Sequence, residues 1–96
     1  MARFTTRVEL YGSPTSDDYE KLNKAMQGAG FTWTISFDGD ATERQLPQGE
    51  YTSNTGLDVD VIRDSAKGAA GSVWENFGLL VTRCDGGRST YNLRKV

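Results

Sequence analysis

Apolar and polar residues alternate from Arg3 to Tyr11: Phe4, Thr6, Val8 and Leu10 fall on one side, Arg3, Thr5, Arg7, Glu9 and Tyr11 on the other. Period two predicts a half-buried strand, which Gly12-Ser13-Pro14 ends. The period then lengthens. Tyr19, Leu22, Met26 and Ala29 recur at helical spacing. Ser16 reads as the N-cap, with Asp17 and Asp18 at the positive end of the helix dipole. Gly28-Ala29-Gly30 stops this helix, with Gly30 the better left-handed cap.

Phe31, Trp33, Ile35 and Phe37 alternate with Thr32, Thr34, Ser36 and Asp38, which predicts a second strand. Asp38-Gly39-Asp40 is a hairpin turn signal, and Thr42 to Leu46 is the return strand. Pro47 lacks a backbone donor, so the chain must bulge, bend or lie at an edge there. Extended structure resumes over Gln48 to Ser53 with Tyr51 inward. A second helix runs from about Asp58 to Gly71, with Val59, Ile62, Ala66, Ala69 and Val73 on its apolar side. Asn76 to Leu93 then reads as a β-hairpin. Leu79-Leu80-Val81 forms a first strand that needs cover on both faces, Asp85-Gly86-Gly87 the turn, and Arg88 to Leu93 the second strand.

The element order predicts an α+β fold: a single ferredoxin-like domain over residues 1–96, βαββαβ with an extra C-terminal antiparallel strand. Two helices would cover one face of the sheet. The other face would be left to solvent or to a partner.

Composition narrows the function classes. The 96 residues carry 13 acids against 11 bases and no histidine. A net charge of -2 is not that of a general nucleic-acid binder. The single cysteine, Cys84, excludes an internal disulfide framework and suits a reducing, cytoplasmic setting. Without histidine, zinc sites of thiolates and imidazoles are excluded within one chain, as are histidine-based nucleophilic triads. Cys84 reads as a small half-buried hydrophobe rather than an activated thiolate. No apolar run approaches the ~20 residues of a membrane helix, so no membrane partner is expected.

The carboxylate clusters read structurally. Asp17-Asp18 and Asp58-Val59-Asp60 sit at helix starts, and Asp38 and Asp40 flank a turn. None suggests a self-contained metal site, and no cofactor is expected. The basic residues are more suggestive. Arg3 and Arg7 share the open face of the first strand with Tyr11, Arg83 and Arg88 flank the final turn, and Tyr91 follows. Arginine and aromatic side chains on a sheet face can hold phosphates and stack bases. These six residues form the candidate nucleic-acid or partner-binding set, although Glu9 lies on the same face. A metal-dependent nuclease of the small CRISPR-associated type would end its first strand in an aspartate. Here that strand ends Leu10-Tyr11-Gly12-Ser13.

Several segments, taken in order, carry a resemblance. They are Arg3-Phe4-Thr5-Thr6-Arg7-Val8-Glu9-Leu10, Asp18-Tyr19-Glu20-Lys21-Leu22, Ala25-Met26 with Gly30-Phe31, and Leu46-Pro47 with Glu50-Tyr51. Ala66-Lys67 with Ala69-Ala70, Leu80-Val81-Thr82, Gly87-Arg88 and Tyr91-Asn92-Leu93 complete the set. Together they resemble a domain family of unknown function from bacteria and prophages. That family is grouped with the antitoxin of type V toxin–antitoxin systems, an endoribonuclease of ferredoxin-like fold. The resemblance implies that fold, a homodimer, and RNA binding or processing directed at a toxin transcript; it assigns no catalytic residue here. Two other readings fit the residues. One is a phage or mobile-element protein that binds and inhibits a host defence complex of CRISPR type, its acidic surface mimicking nucleic acid. The other is a non-enzymatic dimeric interaction module with Tyr91 and Leu93 in its interface.

Overall fold

The structure is a computed structural model describing residues 2–36, 42–84, 86 and 89–96. Its architecture is α+β: two helices and antiparallel strands. The central strand is β1 (Ala2–Leu10), with Phe4, Thr6, Val8 and Leu10 buried as their alternation predicts. On one side it pairs with β4 (Glu50–Thr55) and on the other with β5 (Phe77–Cys84), both antiparallel. A second ladder joins β2 (Thr34–Ile35) to β3 (Arg44–Gln45). One bridge, Thr32 with Thr52, links the residues ahead of β2 to β4 through two 2.8 Å backbone hydrogen bonds.

Helix α1 (Ser16–Gly28) supplies Leu22 and Met26, and α2 (Val59–Gly71) supplies Ile62, Ala66 and Ala70, to one cluster with Phe4, Val8, Leu10 and Tyr51. Both helices therefore cover the same sheet face. Burying a side chain the size of Leu22 or Met26, each with no exposed surface, contributes about 1.5–3 kcal/mol. Gly30, at φ +96°, ends α1: its N–H reaches Gln27 O and that of Phe31 reaches Met26 O, a Schellman arrangement.

The β3–β4 connection turns where Pro47 stands, with Glu50 N donating to Pro47 O at 2.9 Å. Gly49 sits at φ +82° with its carbonyl accepting from Val8 N. A Cβ there would run into Val8 O and the Tyr19 ring, so both backbone and space demand glycine.

Four expectations are corrected. The N-cap of α1 is Thr15, not Ser16, because Thr15 and Asp18 form a reciprocal capping box, whereas a Ser16 cap would place Tyr19 at the reciprocating position. Ala29 is exposed, since it is the C-cap rather than the last residue of the apolar stripe. The Leu79-Leu80-Val81 run is not covered on both faces. Leu79 and Val81 pack against the core, while Leu80 is 66% exposed, because β5 has cover on one face only. Finally, the extra C-terminal strand after β5 is not formed over residues 89–93. Asn92, between Tyr91 and Leu93, takes φ 56°, which breaks an extended run. The tail returns to β3 instead: Lys95 bridges Arg44, Gln45 N donates to Arg94 O at 2.7 Å, and Val96 N to Glu43 O at 3.1 Å. The predicted Asp38-Gly39-Asp40 turn, Asp85, Gly87 and Arg88 lie outside the described residues.

Candidate nucleic-acid interface

The register of β1 with its neighbours fixes which residues share the open face, because residues directly opposite in an antiparallel pair project the same way. Arg3 lies between Asn54 and Cys84, and Arg7 between Glu50 and Leu80. Thr5 lies between Thr52 and Thr82, and the Thr32 bridge extends that row to four threonines. Glu9 opposes Gly78. Tyr11 continues the row past the end of β1. Its hydroxyl lies where a Cβ on Gly78 would stand, so the ring lies over that glycine. The backbone of Tyr11 is tied down twice: Trp74 Nε1 donates to its carbonyl at 2.8 Å, and its N–H donates to Asn76 O at 2.9 Å.

Three of the six candidate residues thus come together. Arg3 and Arg7 are exposed, and Tyr11 is 45% exposed. Neither arginine has an ion-pair partner among the described residues, where the ion pairs join Arg63 to Asp60 and Asp64 on α2. Arg83 opposes Phe4 and so projects to the helix-covered side, at the sheet's end. Tyr91 stands 91% exposed in the tail, away from any strand. Arg88 lies outside the described residues.

The face carries as much negative as positive formal charge. Glu9 and Glu50 balance Arg3 and Arg7, and hydroxyls fill the ground between. Glu50 and the threonine row were absent from the candidate set. Inward Tyr51 already implied outward Glu50 and Thr52 by period two, so the signal was present. Cys84 is half-buried at the edge, with Sγ 3.2 Å from Thr5 Oγ1 and 3.8 Å from Thr82 O, a packed thiol rather than an activated one.

Beneath the face, Tyr51 is fully buried and its hydroxyl donates to Asn23 Oδ1 at 2.6 Å. Burial first, then the neighbouring Tyr19, raises the phenol pKa above its ordinary value, so Tyr51 stays a donor at neutral pH. Among the described residues no three His, Cys, Asp or Glu side chains gather as a metal-ligand group, and no helix is long and apolar enough to cross a membrane. No protein-family profile, no curated protein and no solved structure matches this chain.

Proposed function

We propose that this chain is a small antitoxin-like RNA-binding protein that engages single-stranded RNA across the open face of its sheet. The observation that carries this reading is one exposed face on which the register sets Arg3 and Arg7 and the Tyr11 ring lies over Gly78. Two arginines contact phosphates, the Tyr11 ring offers a surface for a base, and the threonine row offers hydroxyls to the 2′-OH groups that distinguish RNA. The resemblance adds a toxin transcript as target and cleavage as a further step, with no catalytic residue assigned. It also brings the ferredoxin-like fold. In that reading the order β2–β4–β1–β5 is the four-stranded sheet of the fold, with the Thr32–Thr52 bridge as its outermost pairing.

The balanced charge of the face sets how it binds. Two phosphate contacts on a single strand give a log–log salt slope of about -1.4, at about -0.7 for each contact. A general polyanion binder would be far steeper. In a gel-shift assay, Arg7→Ala should weaken binding and flatten that slope by about 0.7. RNA that neither shifts nor is cut, with Mg²⁺ or with EDTA, rejects the reading.

Two copies pairing through β5 complete the proposal. Among the described residues β5 pairs only with β1, and Leu80 stands exposed in the middle of its length. A two-fold axis at Leu80 sets Leu80 on Leu80 and Arg83 opposite Phe77, so no like charges meet.

A further inference from the structure

Tyr11 is a wall shared by two recesses. On the open face a small one, of about 180 Å³, is lined by Arg7, Glu9, Tyr11, Gly78, Leu79 and Leu80. Past the end of β1 a wider one, of about 750 Å³, is lined by Tyr11, Val73, Trp74, Glu75 and Asn76. We infer that the end recess holds a second base of the same single-stranded RNA, stacked on Trp74, so that the strand runs from Arg7 past Tyr11 and off the end of the sheet. The inference rests on the RNA reading and lengthens its site by one nucleotide.

Trp74 is prepared for this by how it is held. Its Nε1 donates to Tyr11 O at 2.8 Å, and its Cζ2 would lie 3.9 Å from a Cβ on Gly12. Both atoms belong to one edge of the indole, so Tyr11 and Gly12 meet the ring at its edge and not across a face. The N–H is the one polar group of the indole and the carbonyl takes it, so what Trp74 has left for a ligand is its ring. The side chain packs partly against the core and stays half-buried, beside exposed Glu75 and Asn76. Tyr11 is tied to the same segment by its N–H on Asn76 O, which keeps the two aromatic residues together.

The lining also says what kind of group enters. The volume falls within the range of about 300–1,000 Å³ of small-ligand sites, enough for a base and its sugar. Among the described lining residues Glu75 alone is charged, and it is acidic, so a phosphate finds no partner there and the phosphate contacts stay with Arg3 and Arg7. Stacking on an aromatic face accepts any base, so the recess adds affinity without sequence choice.

The test is an NMR titration of the full chain with short oligouridine and oligoadenosine strands, following the ring protons of Tyr11, Trp33 and Trp74. Trp33 is the internal control, since it lines a different cleft, of about 500 Å³, between α1, the β3–β4 connection and the C-terminal tail. RNA should move the Tyr11 and Trp74 signals together and leave Trp33 in place. Trp74→Leu, with its folded spectrum retained, should bind about five- to 150-fold more weakly, the value of one base stacked on an aromatic. Its salt slope should stay unchanged, where that of Arg7→Ala flattens. Trp74→Phe, which keeps a ring, should bind between the two. Should Trp74→Leu unfold, the wild-type ring signals decide alone. RNA that moves Tyr11 but not Trp74, that moves Trp33 as much as Trp74, or that binds a folded Trp74→Leu with wild-type affinity overturns the end recess and leaves the sheet-face reading standing. RNA that moves neither ring nor any arginine signal overturns both.

Discussion

Thr6 stands at the centre of β1, opposite Tyr51 on one side and Val81 on the other, fully buried, and its Oγ1 has no hydrogen-bond partner among the described residues. An unsatisfied buried hydroxyl costs about 1–3 kcal/mol of desolvation. Valine keeps the β-branched shape and the strand preference while removing the oxygen. Thr6→Val should therefore stabilise the fold by about 1 kcal/mol, raising Tm by about 4–8 °C in a domain of this size. A melting scan showing no rise would mean that Thr6 Oγ1 is satisfied. Tyr51 is the contrasting case, a buried hydroxyl fully used, since its bond to Asn23 both satisfies the phenol and orients the amide. The inward side of β1 and the inward Tyr51 were legible from alternation alone. That the second buried position of β1 is a threonine without a partner among the described residues was visible as a residue but not as a cost, because cost depends on what packs opposite it.

At the scale of elements, the start of α1 offers a cleaner handle. Thr15 N donates to Asp18 Oδ2 at 2.8 Å, and Asp18 N to Thr15 Oγ1 at 3.3 Å. The backbone N–H of Thr15 is the main cause holding the Asp18 carboxyl below its ordinary value of 3.8; desolvation, next in size, opposes it, and the Thr15 hydroxyl and then Lys21 add to the lowering. A carboxyl depressed in the folded state contributes stability above its unfolded pKa and loses it as pH falls through the folded one. Urea midpoints measured from about pH 6 down to pH 2 should fall at the acid end, and Asp18→Asn should make that fall shallower. Thr15→Ala should cost about 1 kcal/mol at neutral pH. An unchanged acid limb in Asp18→Asn would remove the capping box from the account. The sequence pointed to this helix and to its glycine stop at Gly30, because both signals are local. It misplaced the cap by one residue, since Ser16 and Thr15 are chemically alike and only the reciprocal Asp18 separates them. The final hairpin failed for a different reason. The tail pairs with Arg44, far away along the chain, and no local pattern around Tyr91 encodes that partner.

For the whole molecule, the proposed contacts are the open sheet face and the side of β5 that pairs with no strand among the described residues. An edge strand with an exposed leucine at its middle invites another strand, and a lysine there blocks the approach. Wild-type protein should sediment with a concentration-dependent coefficient, and Leu80→Lys should sediment as a monomer at every concentration. A wild type that is monomeric throughout ends the dimer. Much of the candidate face was readable from the sequence: Arg3, Arg7 and Tyr11 follow from the period of one strand. Glu50, Leu80 and the threonine row join them only through register between strands, and the cleft only through the path of the tail. That path has its own consequence. The strap over residues 94–96 is held to β3 by one bridge and its few backbone hydrogen bonds, whereas β1 is laddered on both sides. Leu93 and Arg94 line the cleft beside α1, so the backbone bonds that join residues 94–96 to the β3 segment also set the position of that cleft's rim.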